Sequence, residues 1–206
     1  MSLWNSELDE TYHSRHGAWN EAKHVFIDSG LTPLSSRSEL RILEVGFGTG
    51  LNCYLTALSQ EQNQRIEYVG LEAYPLEMNI LKELNYAERK DGDEDLFHLM
   101  HRAEWEVEVK IRPNFFLTKV QSKLETFQPD KQFDLMYYDA FGPRAQPEMW
   151  EKSIFEQIFS MMHQDGVLVT YCAKGQVRRD LMACGFEVER LEGPPGKRHM
   201  LRGIKR

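Results

Sequence analysis

The sequence predicts an α/β fold, a mostly parallel sheet with helices on both faces, closed by an antiparallel strand pair. Three observations predict it. Short apolar runs alternate with helical patterns from residue 41 onward. A glycine-rich turn, Gly46-Phe47-Gly48-Thr49-Gly50, joins the first run to the first helix. Two runs near the end, Phe186–Leu191 and His199–Ile204, flank a turn at Gly193–Gly196.

Each element has a local reason. Arg41–Val45 is a short apolar strand, and Leu51–Ser59 is a helix with Leu51, Tyr54, Leu55 and Leu58 on one face. Ile66–Glu72 is a strand and Pro75–Arg89 a helix with Pro75 near its first turn. Lys90–Asp95 is a charged loop. Val107, Val109 and Ile111 alternate, Pro113-Asn114 turns, and Phe115–Val120 returns, which makes a hairpin. Phe133–Tyr138 is a buried strand, Pro147–His163 a helix, and Gln164-Asp165-Gly166 a turn into the strand Val167–Tyr171. Gly175–Cys184 is a helix stopped by Gly185. Residues 1–40 form an N-terminal arm of the same domain, and 41–206 its body.

Composition bounds the function. The 206 residues are 41% hydrophobic and 28% charged, as in an ordinary globular domain, with no disordered or collagenous bias. No apolar run approaches a membrane span, and the N-terminus lacks a signal core, so no membrane partner is expected. Cys53, Cys172 and Cys184 are an odd set without a CxxC pair, which points to a reducing cytoplasm rather than disulfides or zinc. His13 with His16 and His98 with His101 stand three apart but lack further ligands, so no metal is expected. The net charge of −7 argues against generic nucleic-acid binding, yet Lys197–Arg206 holds five basic residues and no acid.

The glycine turn carries the chemistry. Gly46 and Gly48 let backbone approach a ligand. Glu72 closes the next strand, where an acid accepts hydrogen bonds from ribose hydroxyls. A dinucleotide would require GxGxxG, but Leu51 occupies the last glycine position counted from Gly46. The pattern E-x-G-x-G-x-G, led by Glu44, suits S-adenosylmethionine, whose amino group is cationic and which has no phosphate; the bland alternative is a tight turn without ligand. Asp139-Ala140-Phe141-Gly142-Pro143 ends another strand at the same sheet edge. Asp139 reads equally as a turn or cap aspartate and as a carboxylate beside the cofactor. Phe141, on a loop stiffened by Pro143, suits the wall of a pocket for a planar substrate. Arg178 and Arg179 read as a solvated surface or, with Lys197 and Arg198, as phosphate contacts. Met161-Met162 reads as core, and Trp19 and Trp105 read as packing. Trp150 is assigned to neither packing nor base stacking.

Glu44–Asn52 (EVGFGTGLN), Glu72–Leu76 (EAYPL), Asp139–Trp150 (DAFGPRAQPEMW), Val177–Phe186 and Gly196–Leu201 together resemble the bacterial methyltransferases of tRNA wobble-uridine modification. That family comprises the MnmC N-terminal domain and stand-alone MnmD. The arm from Tyr12-His13-Ser14 to Glu21–Phe26 resembles the family's N-terminal segment. The resemblance implies a Rossmann-like class I S-adenosylmethionine-dependent methyltransferase. It implies transfer to the amine of 5-aminomethyl-2-thiouridine in the tRNA anticodon, with no oxidase domain and a separate enzyme supplying the aminomethyl intermediate. It implies cofactor contacts at Glu44, Gly46, Phe47, Gly48, Thr49, Gly50, Asn52, Glu72 and Asp139, and a catalytic role for Asp139. Phe141, Pro143, Arg178, Arg179, Lys197 and Arg198 become candidate substrate contacts. One departure stands out. Where the family places a Gly-Asp pair that binds adenine, this sequence reads Lys119-Val120-Gln121-Ser122, leaving Gln121 or Ser122 as candidates. The alternatives are a methyltransferase acting on another amine or small molecule, and a non-catalytic RNA-binding module.

Overall fold

The computed structural model describes residues 4–5, 10–11, 17–81, 84, 86–89 and 92–206. His13 and His16, and the start of the charged loop at Lys90, lie outside them. The strands are β1 (Trp4–Asn5), β2 (Glu10–Thr11), β3 (Glu39–Val45), β4 (Arg65–Glu72), β5 (Glu108–Arg112), β6 (Phe115–Gln121), β7 (Phe133–Tyr138), β8 (Met162–Thr170), β9 (Phe186–Glu192) and β10 (His199–Lys205). The α-helices are α1 (Ala18–Ala22), α2 (Leu51–Ser59), α3 (Met78–Leu81), α4 (Glu94–Arg102), α5 (Lys152–Met161) and α6 (Gly175–Ala183). β1 and β2 pair by themselves, and the other eight strands form one sheet in the order β5-β6-β4-β3-β7-β8-β10-β9.

The five inner strands, from β6 to β8, run parallel, and β5, β10 and β9 attach antiparallel at the two ends. This is the mostly parallel sheet with a closing antiparallel pair that the sequence predicts. The chain leaves β3 to one side for β4 and later crosses to its other side for β7. The carboxyl end of β3 is therefore the switch point at which open α/β sheets bind ligands.

The arm packs onto the sheet from Ala18 onward. α1 continues as a wider π-type helix over Lys23–Leu31 that buries Val25, Phe26, Ile27 and Leu31. Gly30 brings this segment against β7 and β8, where a Cβ would stand 3.0 Å from Val169. The Phe26 and Tyr137 rings lie 5.1 Å apart.

Four elements differ from the sequence expectation. Of the helix foreseen over Pro75–Arg89, the described residues are helical at Met78–Leu81 alone. Leu81, Leu84 and Tyr86 are all buried, a spacing that no single helix face provides. α4 rises at Glu94, inside the stretch expected as a charged loop, because Asp93 caps it by accepting from Leu96 N at 2.9 Å. The helix foreseen over Pro147–His163 splits into a 3-10 turn at Pro147–Trp150 and α5. The turn expected at Gln164–Gly166 is instead an irregularity inside β8, with Asp165 at φ 60°. Met161 and Met162 are core, as expected.

Candidate active site

The site grows from the end of β3. Gly46 N and Phe47 N both donate to Leu71 O of β4 at 3.0 Å, and Asp139 N donates to Val45 O at 3.0 Å. The glycine turn is thus pinned to one neighbouring strand and Asp139 to the other side of β3. Gly46 has φ 90°, and a Cβ there would lie 2.7 Å from Asp139 O. Only glycine fits both demands. Gly50, at φ 71°, turns the chain into α2. Phe47 folds over Gly70, where any side chain would meet its ring.

A cavity of about 590 Å³ opens here, within the range of small-ligand sites. Gly46, Phe47, Gly48, Thr49, Asn52, Glu72, Asp139, Phe141, Ser122 and Lys197 line it. Sequence motifs brought nearly all of these forward. The lining also includes Glu21 and Phe26 from the arm and Tyr171 after β8, none of which the sequence brought forward as a site residue.

Polar contacts order the floor. Asn52 Nδ2 donates to Glu44 Oε1 and to Asp139 Oδ2, both at 2.8 Å. Tyr68 OH donates to Glu44 Oε2 at 2.8 Å. Both hydrogens of the Asn52 amide are committed, and its buried Oδ1 has no partner. Glu44 itself is fully buried, does not line the cavity, and is joined to it by Asn52. Burial raises the Glu44 carboxyl well above its usual range against the Tyr68 and Asn52 donors, and the Asp139 charge adds to the rise. Burial likewise pushes Asp139 up to about 7, while Asn52 opposes the rise, Glu21 adds to it and Lys197 opposes it.

Glu72 Oε2 accepts from Gly48 N and Oε1 from Tyr74 N, each at 2.9 Å. Burial raises its carboxyl too, against those backbone donors. Trp150, buried on Tyr138, donates Nε1–H to Phe141 O at 2.8 Å and fixes the loop after Asp139. Trp150 is therefore packing, as are Trp19 against Tyr54 and Trp105 against Phe47.

Other candidates stand apart. Pro143 and Gly50 are beside the cavity rather than in its lining, and Arg178, Arg179 and Arg198 are exposed. Gln121 points outward, whereas Ser122 lines the cavity. His98 pairs with Glu94 at 3.5 Å, and His101 is buried against Phe97 with its pKa lowered to about 3 by burial.

The residues fit S-adenosylmethionine. Gly46 and Gly48 line the cavity, Glu72 presents a carboxylate at the next strand end, and Asn52 Oδ1 offers a buried acceptor beside the Asp139 carboxylate. That acceptor set matches a ribose at one end and a cationic amino group at the other.

Comparisons agree. The chain is 27% identical over 216 residues to the tRNA 5-methylaminomethyl-2-thiouridine biosynthesis bifunctional protein MnmC of Marinomonas sp. (strain MWYL1), covering 97% of this chain and 32% of that protein. It is 30% identical over 214 residues to the protein of the same name from Hydrogenovibrio crunogenus, covering 95% of this chain and 31% of that one. It thus spans about a third of the length of these relatives. The crystal structure of MNMC2 from Aquifex aeolicus superposes with a TM-score of 0.79 at 24% identity, covering 98% of this chain and 66% of that one. A structure of S-adenosylmethionine-bound CalS10, an amino pentose methyltransferase from Micromonospora echinaspora, shares the fold at a TM-score of 0.57 and 14% identity. No helix among the described residues is long and apolar enough to cross a membrane. The model of the S-adenosyl-L-methionine-dependent methyltransferase family matches residues 95–206, and the chain belongs to that family.

Proposed function

We propose that this chain methylates the primary amine of 5-aminomethyl-2-thiouridine at the tRNA wobble position, giving 5-methylaminomethyl-2-thiouridine. One observation carries the reading. Asp139, held by Asn52 at the carboxyl edge of the sheet, faces the same cavity as the glycine turn and has a pKa near 7. S-adenosylmethionine supplies a methyl group on a sulfonium, whose carbon–sulfur bond breaks as the N–C bond forms, the electron pair remaining on sulfur.

The protein prepares the amine. An ammonium has no lone pair, so one proton must leave before attack. A carboxylate poised near neutral pH accepts that proton. Asn52 keeps the Asp139 carboxylate oriented, and Glu44, through Asn52 and Tyr68, keeps Asn52 oriented. Gly46, Phe47, Gly48, Thr49, Asn52, Glu72 and Ser122 hold the methyl donor. Phe141, with Pro143 behind it, packs on the base. Exposed Arg178, Arg179 and Arg198 meet tRNA phosphates around the anticodon. The arm, residues 1–40, belongs to the same domain as 41–206. A separate enzyme supplies the aminomethyl group.

The test is transfer of tritium from labelled S-adenosylmethionine into tRNA from cells lacking the final methylation, with nucleoside analysis. Label in 5-methylaminomethyl-2-thiouridine, lost in Asp139→Ala, supports the reading. Cofactor binding without label in that nucleoside overturns it.

A further inference from the structure

Three residues distant in sequence meet at the wall of the cavity. Lys197, in the turn between β9 and β10, hydrogen-bonds with its ammonium to Glu21 Oε1 of α1. The same Nζ lies 3.9 Å from the centroid of the Tyr171 ring. Tyr171 OH donates to Ala140 O at 2.8 Å, which anchors the ring beside Asp139. The Glu21 side chain is only 14% exposed, and all three residues line the cavity with Asp139. A carboxylate and an aromatic face around one ammonium is a general receptor for cationic amines.

We propose that Glu21 and Tyr171 form the subsite for the ammonium of the substrate amine, and that Lys197 is an internal stand-in which the entering substrate displaces. Glu21 is then a substrate-positioning residue. The inference rests on the amine-methylation reading above. It follows from charge. Exchanging one ammonium for another keeps the Glu21 carboxylate compensated as the substrate enters, whereas a neutral entrant would strand it. It also supplies the next step. The bound R–NH3⁺ gives one proton to the Asp139 carboxylate, leaving neutral R–NH2 and a carboxylic acid. Glu21 and Glu44 oppose the ionised form of Asp139, and Asn52 and Lys197 favour it.

The test compares wild type, Glu21→Gln and Lys197→Met in steady-state methylation of tRNA bearing 5-aminomethyl-2-thiouridine. Melting temperatures and calorimetric S-adenosylmethionine affinity accompany the kinetics. Glu21→Gln raises KM for the tRNA about tenfold, and Lys197→Met lowers it about threefold by removing the competing cation, with cofactor affinity unchanged in both. Opposite signs are the signature, because a pair that only braces the arm would raise KM in both variants, and that result overturns the proposal. Weaker cofactor binding in Glu21→Gln with an unchanged tRNA KM also overturns it, since the subsite would then serve the methyl donor. If Glu21→Gln fails to fold, the direction of the Lys197→Met change decides. Wild type that binds cofactor but leaves this nucleoside unmethylated overturns the reading of function, and the subsite falls with it.

Discussion

The two walls of the cavity are made differently. One wall is the sheet edge, where Gly46–Asn52 and Asp139 are fixed by backbone bonds to adjacent strands and by the Glu44–Asn52–Asp139 contacts. The other joins Glu21 and Phe26 of the arm to Lys197 of the last turn, partners 176 residues apart in the case of the ion pair. The first wall is held by hydrogen bonds between adjacent strand ends, and of the Asn52 amide only the buried Oδ1 is left to meet a ligand. The second depends on apolar anchoring of the arm and on a cation–carboxylate contact that can be exchanged. A methyl donor needs the first kind of surface, and a large substrate that enters and leaves suits the second.

Breaking the first wall at its reactive group has the largest effect. Asp139→Asn lowers kcat by about 10²- to 10⁴-fold in the tritium assay. In wild type, kcat/KM rises with pH and levels off above about 7, as the carboxyl ionises. The same shift has a stability consequence. The folded chain keeps a proton on Asp139 that the unfolded chain gives up near 3.8, so this stabilisation is present below about 4 and is lost as pH rises through about 7. Asp139→Asn escapes that loss. In thermal scans it melts above wild type at pH 8, and the gap closes towards pH 4.

The arm supplies the next largest effect. Phe26→Ala removes a fully packed ring from the face of Tyr137 and costs ~3–5 kcal/mol in urea unfolding. A change under about 1 kcal/mol would mean that the arm is not part of the core, and would weaken the contrast between the walls.

Gly46→Ala, in the first wall, comes next. Strain at φ 90° and the approach to Asp139 O cost ~1–3 kcal/mol, and calorimetry shows weaker S-adenosylmethionine binding. The smallest effect belongs to the outer surface. Arg178→Ala and Arg179→Ala each raise KM for tRNA a few-fold and reduce the slope of log affinity against log salt by about one, with kcat unchanged. An unaltered slope would remove these arginines from the interface.

The same contrast explains what the sequence made legible. The glycine turn, the acid ending β4 and the aspartate after β7 are each decided within a few residues, by positive φ at glycine and by a strand's end. Strands β7 and the β9–β10 pair were equally readable, because their apolar runs and turn residues are local. Glu21 and Tyr171 carry no local signal, since their meaning comes from tertiary contact with Lys197. α4 was hidden because its cap, Asp93, stands in a run of charges that reads as loop. α3 was overextended because Leu81, Leu84 and Tyr86 look helical in composition but are buried from different directions. Glu44 was identified as a site residue, yet burial sends its influence through Asn52.

The contact between the place of a Cβ on Gly46 and the carbonyl of Asp139 has a consequence for how such an enzyme changes over generations. In the function proposed above, the loop that receives the methyl donor and the residue that receives the amine's proton share one backbone contact. A lineage cannot remodel one end without disturbing the other, so new acceptor specificities must arise elsewhere. The wall made by Glu21, Tyr171 and Lys197 lies outside that contact, and there a change of acceptor amine can begin while the donor side stays intact.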